Sequence, residues 1–249
     1  MNYTYTTLLS TMDYLLGVLM LKESLDMVHA KYPLTVCVPK DIVNDVQEVL
    51  TRSGCNIYPI ERLWYNETTK QWCDARHWPQ TVQHTASKLE IFGLPYDKVV
   101  YLDADTFVIE NIDDLFDYPD TSMVLYPKDD QGFSGLMVFV PKHHPKDMYI
   151  TLMQNYLCLD GNLLGRLWIA VKDNPAYQIP PEYLVNFDAK TIDHAILGRK
   201  VKVVHFINHP KPWYGDGNPS QLWVFYQTVL RRVMKRYDLT FTQKYTLTD

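Results

Sequence analysis

Asp103 and Asp105, two carboxylates one residue apart, are the side chains in this 249-residue sequence whose type and spacing most directly imply chemistry. They follow Val99-Val100-Tyr101-Leu102, a short apolar run rich in β-branched residues that reads as a buried strand. Both acids would then sit where that strand reaches the carboxyl edge of a sheet, the edge at which open α/β sheets bind ligands. Carboxylates are hard oxygen donors, suited to holding Mg²⁺ or Mn²⁺ against a diphosphate. A bare Asp-x-Asp arises by chance about once in a chain of this size, and Asp is common in turns, so a solvated turn is the competing reading. The strand in front favours the site.

The elements that must position these acids follow from the pattern around them. Residues 3–10 read as a first strand, and Thr11-Met12-Asp13 as the cap of a helix whose apolar face runs from Tyr14 to Leu25. Leu34 to Val38 is a second strand, Asp41 to Leu50 an amphipathic helix, and Asn56 to Ile60 a third strand with Pro59 marking an edge. This alternation predicts an α/β fold with a mostly parallel sheet flanked by helices. Trp64 to Gln83 reads as a long irregular loop containing Trp64, Tyr65, Trp72 and Trp78, and loops of that length are more often functional than idle. Thr85 would cap a helix over Ala86 to Phe92, ended by Gly93 and Pro95, with Lys88 in its first turn where a cation is unfavoured by the dipole.

Beyond the acids, Asn111 to Phe116 reads as a helical turn, Ser122 to Tyr126 as a strand, and Gly132-Phe133-Ser134-Gly135 as the entry to a strand over Leu136 to Val140. Pro145 to Tyr156 is helical, a further segment starts at Asp160-Gly161-Asn162, and Glu182 to Phe187 follows two prolines. Val201 to Phe206 is a last apolar strand carrying His205 at its end, followed by Lys211-Pro212-Trp213. A final helix over 218–237, opened by Asn218 and Pro219, would turn Leu222, Phe225, Val229 and Val233 inward. No repeat or linker interrupts 1–249, so one domain is expected, with the last helix packed on it.

Composition excludes several classes. The 47% apolar and 13% aromatic content suffices for a packed core, and disorder is not expected. A net charge of −5 without a basic stripe argues against nucleic acid as partner; Arg231-Arg232 with Lys235-Arg236 reads as the solvated face of the last helix. No apolar run reaches the length of a membrane span and no leader pattern is visible. Cys37, Cys55, Cys73 and Cys158 lack metal-type pairing and read as free thiols, which makes a cytoplasmic setting the default and leaves the Asn66-Glu67-Thr68 sequon without weight.

Tyr101-Leu102-Asp103-Ala104-Asp105-Thr106 followed by Asn111-Ile112-Asp113-Asp114-Leu115-Phe116 resembles the signature of glycogenin-like retaining glycosyltransferases, and Val203-Val204-His205-Phe206 with Lys211-Pro212-Trp213 resembles that family's C-terminal motif. Thr7-Leu8, Tyr14, Gly17, Thr85 to Lys88 and Ser134-Gly135 match more weakly, so the likeness spans about residues 3 to 214. It implies a GT-A fold of Rossmann-like character, a UDP-sugar donor and Mn²⁺, with Mg²⁺ as the alternative. It also implies transfer of a hexose, glucose or galactose, with retention. By position, Asp103, Asp105 and His205 would hold the metal; two carboxylates and an imidazole suit Mn²⁺. Lys211 would face the diphosphate and Lys88 the donor sugar. Leu8, Ser10, Thr11 and Tyr14 would meet uracil and ribose, with Arg76, Ala104, Ser134 and Asn208 completing the donor contacts. Asp160 would be the sugar-side carboxylate, with Asp193 as a rival match.

Two positions depart from the family pattern. Gly161 replaces an expected glutamine and Phe133 an expected asparagine, both on the sugar-facing side. The acceptor would be the hydroxyl of a separate glycan, glycoprotein or small polyol, and homodimers are common in such families. Two alternatives stand beside this reading. A self-glucosylating primer would need an acceptor tyrosine between Leu184 and Trp213, where the sequence has none. A silent sugar-nucleotide-binding module would be consistent with the two departures.

Overall fold

The computed structural model of the chain describes residues 1–77, 80–125, 132–155, 164, 174–187, 201–207, 211–214 and 221–239. A seven-stranded sheet runs in the order β3-β2-β1-β4-β7-β6-β8, formed by β1 (Tyr3–Leu8), β2 (Leu34–Pro39), β3 (Asn56–Ile60), β4 (Lys98–Leu102), β6 (Ser122–Leu125), β7 (Gly132–Phe139) and β8 (Gln178–Ile179). Strands β1 to β4 pair in parallel and β8 is parallel to β6, while β7 runs antiparallel to both its neighbours. The mostly parallel sheet expected from the strand–helix alternation is therefore present, and Pro59 lies on edge strand β3 as its missing N–H requires. A second, three-stranded sheet joins β5 (Thr106–Val108), β10 (Val203–His205) and β9 (Val185–Asn186), with β10 in the centre.

The large sheet separates two apolar layers. On one face, α1 (Leu15–Met27), α2 (Val43–Arg52) and α5 (Gln221–Arg236) bury Val18, Leu21, Leu50, Tyr226 and Leu230 against Tyr5, Leu9 and Val100. On the other, a 3₁₀ stretch over Gln80–Gly93 and α4 (Lys146–Asn155) bury Leu89, Phe92, Tyr149 and Met153 against Leu8, Tyr101 and Met137. Alternation along β1 sends Tyr5 to the first layer and Leu8 to the second.

Several local expectations are corrected. The loop expected over Trp64 to Gln83 contains α3 (Glu67–Asp74), because Asn66 Oδ1 accepts from Thr69 N at 2.8 Å and caps it. Thr85 caps nothing; it lies inside the 3₁₀ stretch, where its hydroxyl donates back to Val82 O at 2.9 Å. Thr11 precedes a short 3₁₀ turn, Met12–Tyr14, and makes no side-chain cap. Gly132 to Gly135 already belong to β7, whose register against β6 shifts between Met123 and Val124. On α5 the buried positions are Trp223, Tyr226, Val229, Leu230, Val233 and Met234, whereas Phe225 is 45% exposed. Val229 and Val233 face inward as expected; Phe225 does not, because Tyr226 seats its ring against Phe107 at 5.4 Å and Phe206 at 5.0 Å in its place. Arg231, Arg232, Lys235 and Arg236 form an exposed face, as expected. Cys37, Cys55 and Cys73 are free thiols, and no helix among the described residues is long and apolar enough to cross a membrane. Cys158 and the segment from Asp160 to Gly161 lie outside the described residues.

The Asn-Ile-Asp-Asp-Leu-Phe run serves the fold. Asp113 Oδ1 accepts from Tyr5 OH at 2.8 Å and from Lys31 N at 3.1 Å, while Asn111 Nδ2 donates to Val28 O at 3.1 Å, just past the end of α1. Burial and the adjacent Asp113 carboxylate push the Tyr5 phenol far above its ordinary value, so it remains a donor. Asp113→Ala leaves that buried hydroxyl unpaired, and chemical denaturation should show a loss of about 2 kcal/mol. In an Asp113→Ala/Tyr5→Phe double variant most of the loss should disappear; strictly additive costs would exclude this assignment.

Candidate active site

Asp103 leaves the carboxyl end of β4 and Asp105 begins the return into β5, with a turn held by Thr106 N and Oγ1, which donate to Asp103 O at 3.1 and 2.7 Å. The antiparallel β4–β7 register, in which Leu102 faces Leu136, brings Gly135 beside this turn, where Asp103 N donates to Gly135 O at 3.0 Å. From the other side β10 pairs antiparallel with β5 and sets His205 opposite Thr106. Phe206 N then donates to Asp105 O at 2.8 Å, locking the end of β10 to the acidic turn.

One ligand atom from each of Asp103, Asp105 and His205 lies within 4.8 Å of the others. His205 Nε2 is 3.1 Å from Asp105 Oδ1 and 3.7 Å from Asp103 Oδ2. Its Nδ1 lies 3.1 Å from Asn186 Oδ1, an oxygen that can only accept, so Nδ1 carries a proton. Nε2 is then aimed among carboxylate oxygens, a place that only positive charge occupies without repulsion: a proton on Nε2, or a metal ion between it and the acids. The donor set is therefore one that a divalent ion fits, with Asn186 as its orienting outer partner.

Two buried ammonium groups flank the acids. Lys211 Nζ is 2.7 Å from Asp105 Oδ2 and also donates to Phe206 O at 2.7 Å and Ile207 O at 3.1 Å, using its three hydrogens. Lys88 Nζ is 2.9 Å from Asp103 Oδ1 and 3.4 Å from Ser134 Oγ. Burial alone would raise the Asp105 carboxyl, but the charges of His205 and Lys211 outweigh it and hold the group well below the usual carboxylate range. Two acids, two lysines and one histidine thus share a small volume at the carboxyl edge of the sheet.

The N-terminal residues expected at the nucleoside follow β1. Leu8 and Ser10 are buried, and Thr11 Oγ1 is a buried hydroxyl without a hydrogen-bond partner. Tyr14 packs edge-on against Trp213 at 5.5 Å, and Trp213 Nε1 donates to Asp13 O at 2.9 Å. The C-terminal motif therefore closes directly over the β1–α1 connection. Ala104 lies between the two acids with its carbonyl turned toward Gly17. Arg76, just past the end of α3, folds back on that helix, stacking over Trp72 at 3.8 Å and donating to Trp72 O at 3.3 Å. Asp160, Asp193 and Asn208 lie outside the described residues.

Two neighbours, Tyr101 and Asn186, were not anticipated from sequence. Tyr101 OH donates to Asp103 Oδ1 at 2.8 Å, a contact readable in principle because residues two apart share one side of a strand. Asn186 carries no motif. Phe133 stands edge-on to His205 at 5.3 Å, so this departure from the family pattern borders the acid–histidine cluster itself.

The fold has counterparts among solved structures. Glycosyltransferase GlyE of Streptococcus pneumoniae TIGR4 superposes with a TM-score of 0.61 at 14% identity, over 96% of this chain and 63% of that one. Galactosyltransferase LgtC, solved in complex with donor and acceptor sugar analogs, gives 0.59 at 14% identity over 99% and 98%. At these identities the likeness is one of fold, the GT-A arrangement. Galactinol synthase 3 of Arabidopsis thaliana is 38% identical over 116 residues, 46% of this chain and 33% of the relative. Galactinol synthase 1 of Ajuga reptans is 38% identical over 109 residues, 43% and 31%. The matches thus span about a third of the length of these curated relatives. The family model described as Glycosyl transferase family 8 matches residues 5–156, more than half of the sequence, and includes the acidic turn, Lys88 and the Ser134-Gly135 strand. With that match and the GT-A fold around it, this chain belongs to glycosyl transferase family 8.

Proposed function

We propose that this chain transfers a hexose from a UDP-sugar to the hydroxyl of a separate acceptor, with retention at the anomeric carbon and dependence on Mn²⁺. The observation that carries the reading is the convergence of Asp103, Asp105 and His205, flanked by Lys88 and Lys211. Bound there, the ion would supply Lewis-acid charge to the diphosphate as the sugar–phosphate bond breaks. Lys211 adds a fixed positive charge beside the same leaving group, in a buried position where charge acts strongly. Lys88 and Ser134 are proposed to orient the donor sugar. Leu8, Ser10, Thr11 and Tyr14 are proposed for uracil and ribose, with Arg76, Ala104 and Asn208 adding to the donor site. On sequence position, Asp160 is our proposed carboxylate at the anomeric carbon.

Among sugars, galactose leads glucose in this proposal, because one similar structure is named a galactosyltransferase and the similar sequences are named galactinol synthases. A small polyol leads as acceptor for the second of these reasons. The test is a screen of UDP-galactose, UDP-glucose, UDP-xylose and the N-acetyl donors with Mn²⁺, read by UDP release. Release from UDP-galactose at least about tenfold above the others, abolished by chelation, is the expected result. Inactivity with every donor would overturn the proposal.

A further inference from the structure

Arg62 lies three segments away in sequence from the acidic turn, yet it is tied to the residues that border the proposed nucleoside site. Its guanidinium reaches three separate connections at the carboxyl edge of the sheet. Nε is 2.7 Å from Asp41 Oδ2, in the turn after β2. Nη1 donates to Ser10 O at 2.9 Å, in the connection after β1. The same Nη1 lies 3.1 Å from His84 Nδ1, in the 3₁₀ stretch four residues before Lys88. The Arg62 side chain is only 13% exposed, and Trp64 covers it, with its ring centroid 5.9 Å from the guanidinium carbon and 4.8 Å from the His84 ring.

Guanidinium only donates, so His84 Nδ1 must accept, and the ring is fixed as the tautomer with hydrogen on Nε2. Burial first, and then the Arg62 charge, push the His84 pKa down, which keeps the ring neutral. Next to the carbonyl that Arg62 holds stands Thr11, whose buried hydroxyl has no partner. A buried unpaired hydroxyl is costly and calls for a partner. A bound nucleoside, rich in carbonyl and hydroxyl oxygens, is a partner of matching chemistry.

We infer that Arg62 is a positioning residue for the nucleoside half of the donor site: it fixes the Ser10–Thr11 backbone and the His84 tautomer, so that the Thr11 hydroxyl and the His84 Nε2–H meet nucleoside oxygens as preset donors. The inference rests on the UDP-sugar reading above. It assigns Arg62 no contact with the reacting atoms, so its loss weakens nucleotide binding and spares turnover.

The experiment measures UDP affinity calorimetrically in the presence of Mn²⁺, alongside UDP release from the preferred sugar nucleotide, for wild type, Arg62→Met, His84→Leu and His84→Gln. For Arg62→Met the expected result is UDP binding weakened about tenfold, KM raised in step and kcat within twofold. Mn²⁺ binding without nucleotide should be unchanged. His84→Leu should lose about fivefold in affinity, and His84→Gln, which keeps an N–H donor, should recover most of it. Arg62→Met binding UDP within twofold of wild type overturns the inference, as does a fall in kcat at unchanged KM. If Arg62→Met does not fold, the His84 pair decides: equal affinities for Leu and Gln overturn the inference. Wild type failing to bind UDP overturns the donor reading itself, a result visible before any variant is compared.

Discussion

Asp105→Asn should abolish the proposed metal-dependent transfer, lowering UDP release by roughly 10³-fold or more, because one change removes the charge of a proposed metal ligand and the counter-charge of a buried lysine. The substitution keeps the shape of the side chain. What it removes is the anion between His205 Nε2 at 3.1 Å and Lys211 Nζ at 2.7 Å. Lys211 is 3% exposed and would be left with neutral acceptors alone, the carbonyls of Phe206 and Ile207 among them. Breaking a buried pair from one side typically costs about 3–5 kcal/mol, so the variant should also unfold at lower denaturant. The two losses separate by comparison with Lys88→Met, which leaves the Asp105–Lys211 pair intact. Lys88→Met should retain Mn²⁺ binding, followed by electron paramagnetic resonance, while losing turnover; Asp105→Asn should lose both. An Asp105→Asn protein that keeps a tenth of wild-type activity with the same Mn²⁺ requirement would remove Asp105 from the metal site.

The acidic turn was readable because each of its parts leaves a local trace. A β-branched run predicts β4, and two acids at its end predict a ligand edge. His205 closes another apolar run, and the β5–β10 pairing brings the two strand ends together. The parallel pairing of the first strands followed from the alternation of strands and helices.

What escaped the sequence was set by contacts between distant segments or by competing local chemistry. Asn66 looked like part of a sequon, yet its carboxamide caps α3 and its Nδ2 donates to Gln154 O at 2.9 Å on α4, so the long aromatic loop is in part helix. On α5 Val229 and Val233 were read correctly and Phe225 was not, because Trp223 and Tyr226 lie on an adjacent apolar stripe and Tyr226 takes the place against Phe107 and Phe206. Arg62 and Asn186 belong to no recognisable spacing; their roles exist only once Ser10, His84 and His205 have been brought beside them. Conversely, Asn111 and Asp113 read as part of a functional signature, and their hydrogen bonds show a structural task.

Gly17→Ala should be the most damaging substitution that touches no proposed ligand of the metal. In an ordinary helix the exchange favours Ala by about 1 kcal/mol. Here a Cβ at position 17, near the start of α1, would lie 2.5 Å from Ala104 O and 2.8 Å from the Trp213 ring. Neither neighbour yields easily: Ala104 is the backbone between Asp103 and Asp105, and Trp213 is 1% exposed and hydrogen-bonded to Asp13 O. This close approach is what links the first helix, the acidic turn and the C-terminal Lys-Pro-Trp motif, three segments far apart in the chain. Forcing the extra methyl in should cost about 2–3 kcal/mol in stability. It should also displace the turn, and because a shift on the order of 1 Å can cost about 10²-fold in rate, UDP release should fall by that order even in the folded fraction. Gly135→Ala provides the graded comparison: its Cβ would lie 3.0 Å from the Phe133 ring and 3.2 Å from Asp103 Oδ2, side-chain neighbours that can give way, so its losses should be smaller. Trp213→Leu in the Gly17→Ala background should recover part of the stability by removing one of the two obstructions, while activity stays low because the Ala104 carbonyl still collides. A Gly17→Ala protein that melts with the wild type and turns over normally would show that the turn moves freely, and the rigid coupling of helix, acids and tryptophan would have to be abandoned.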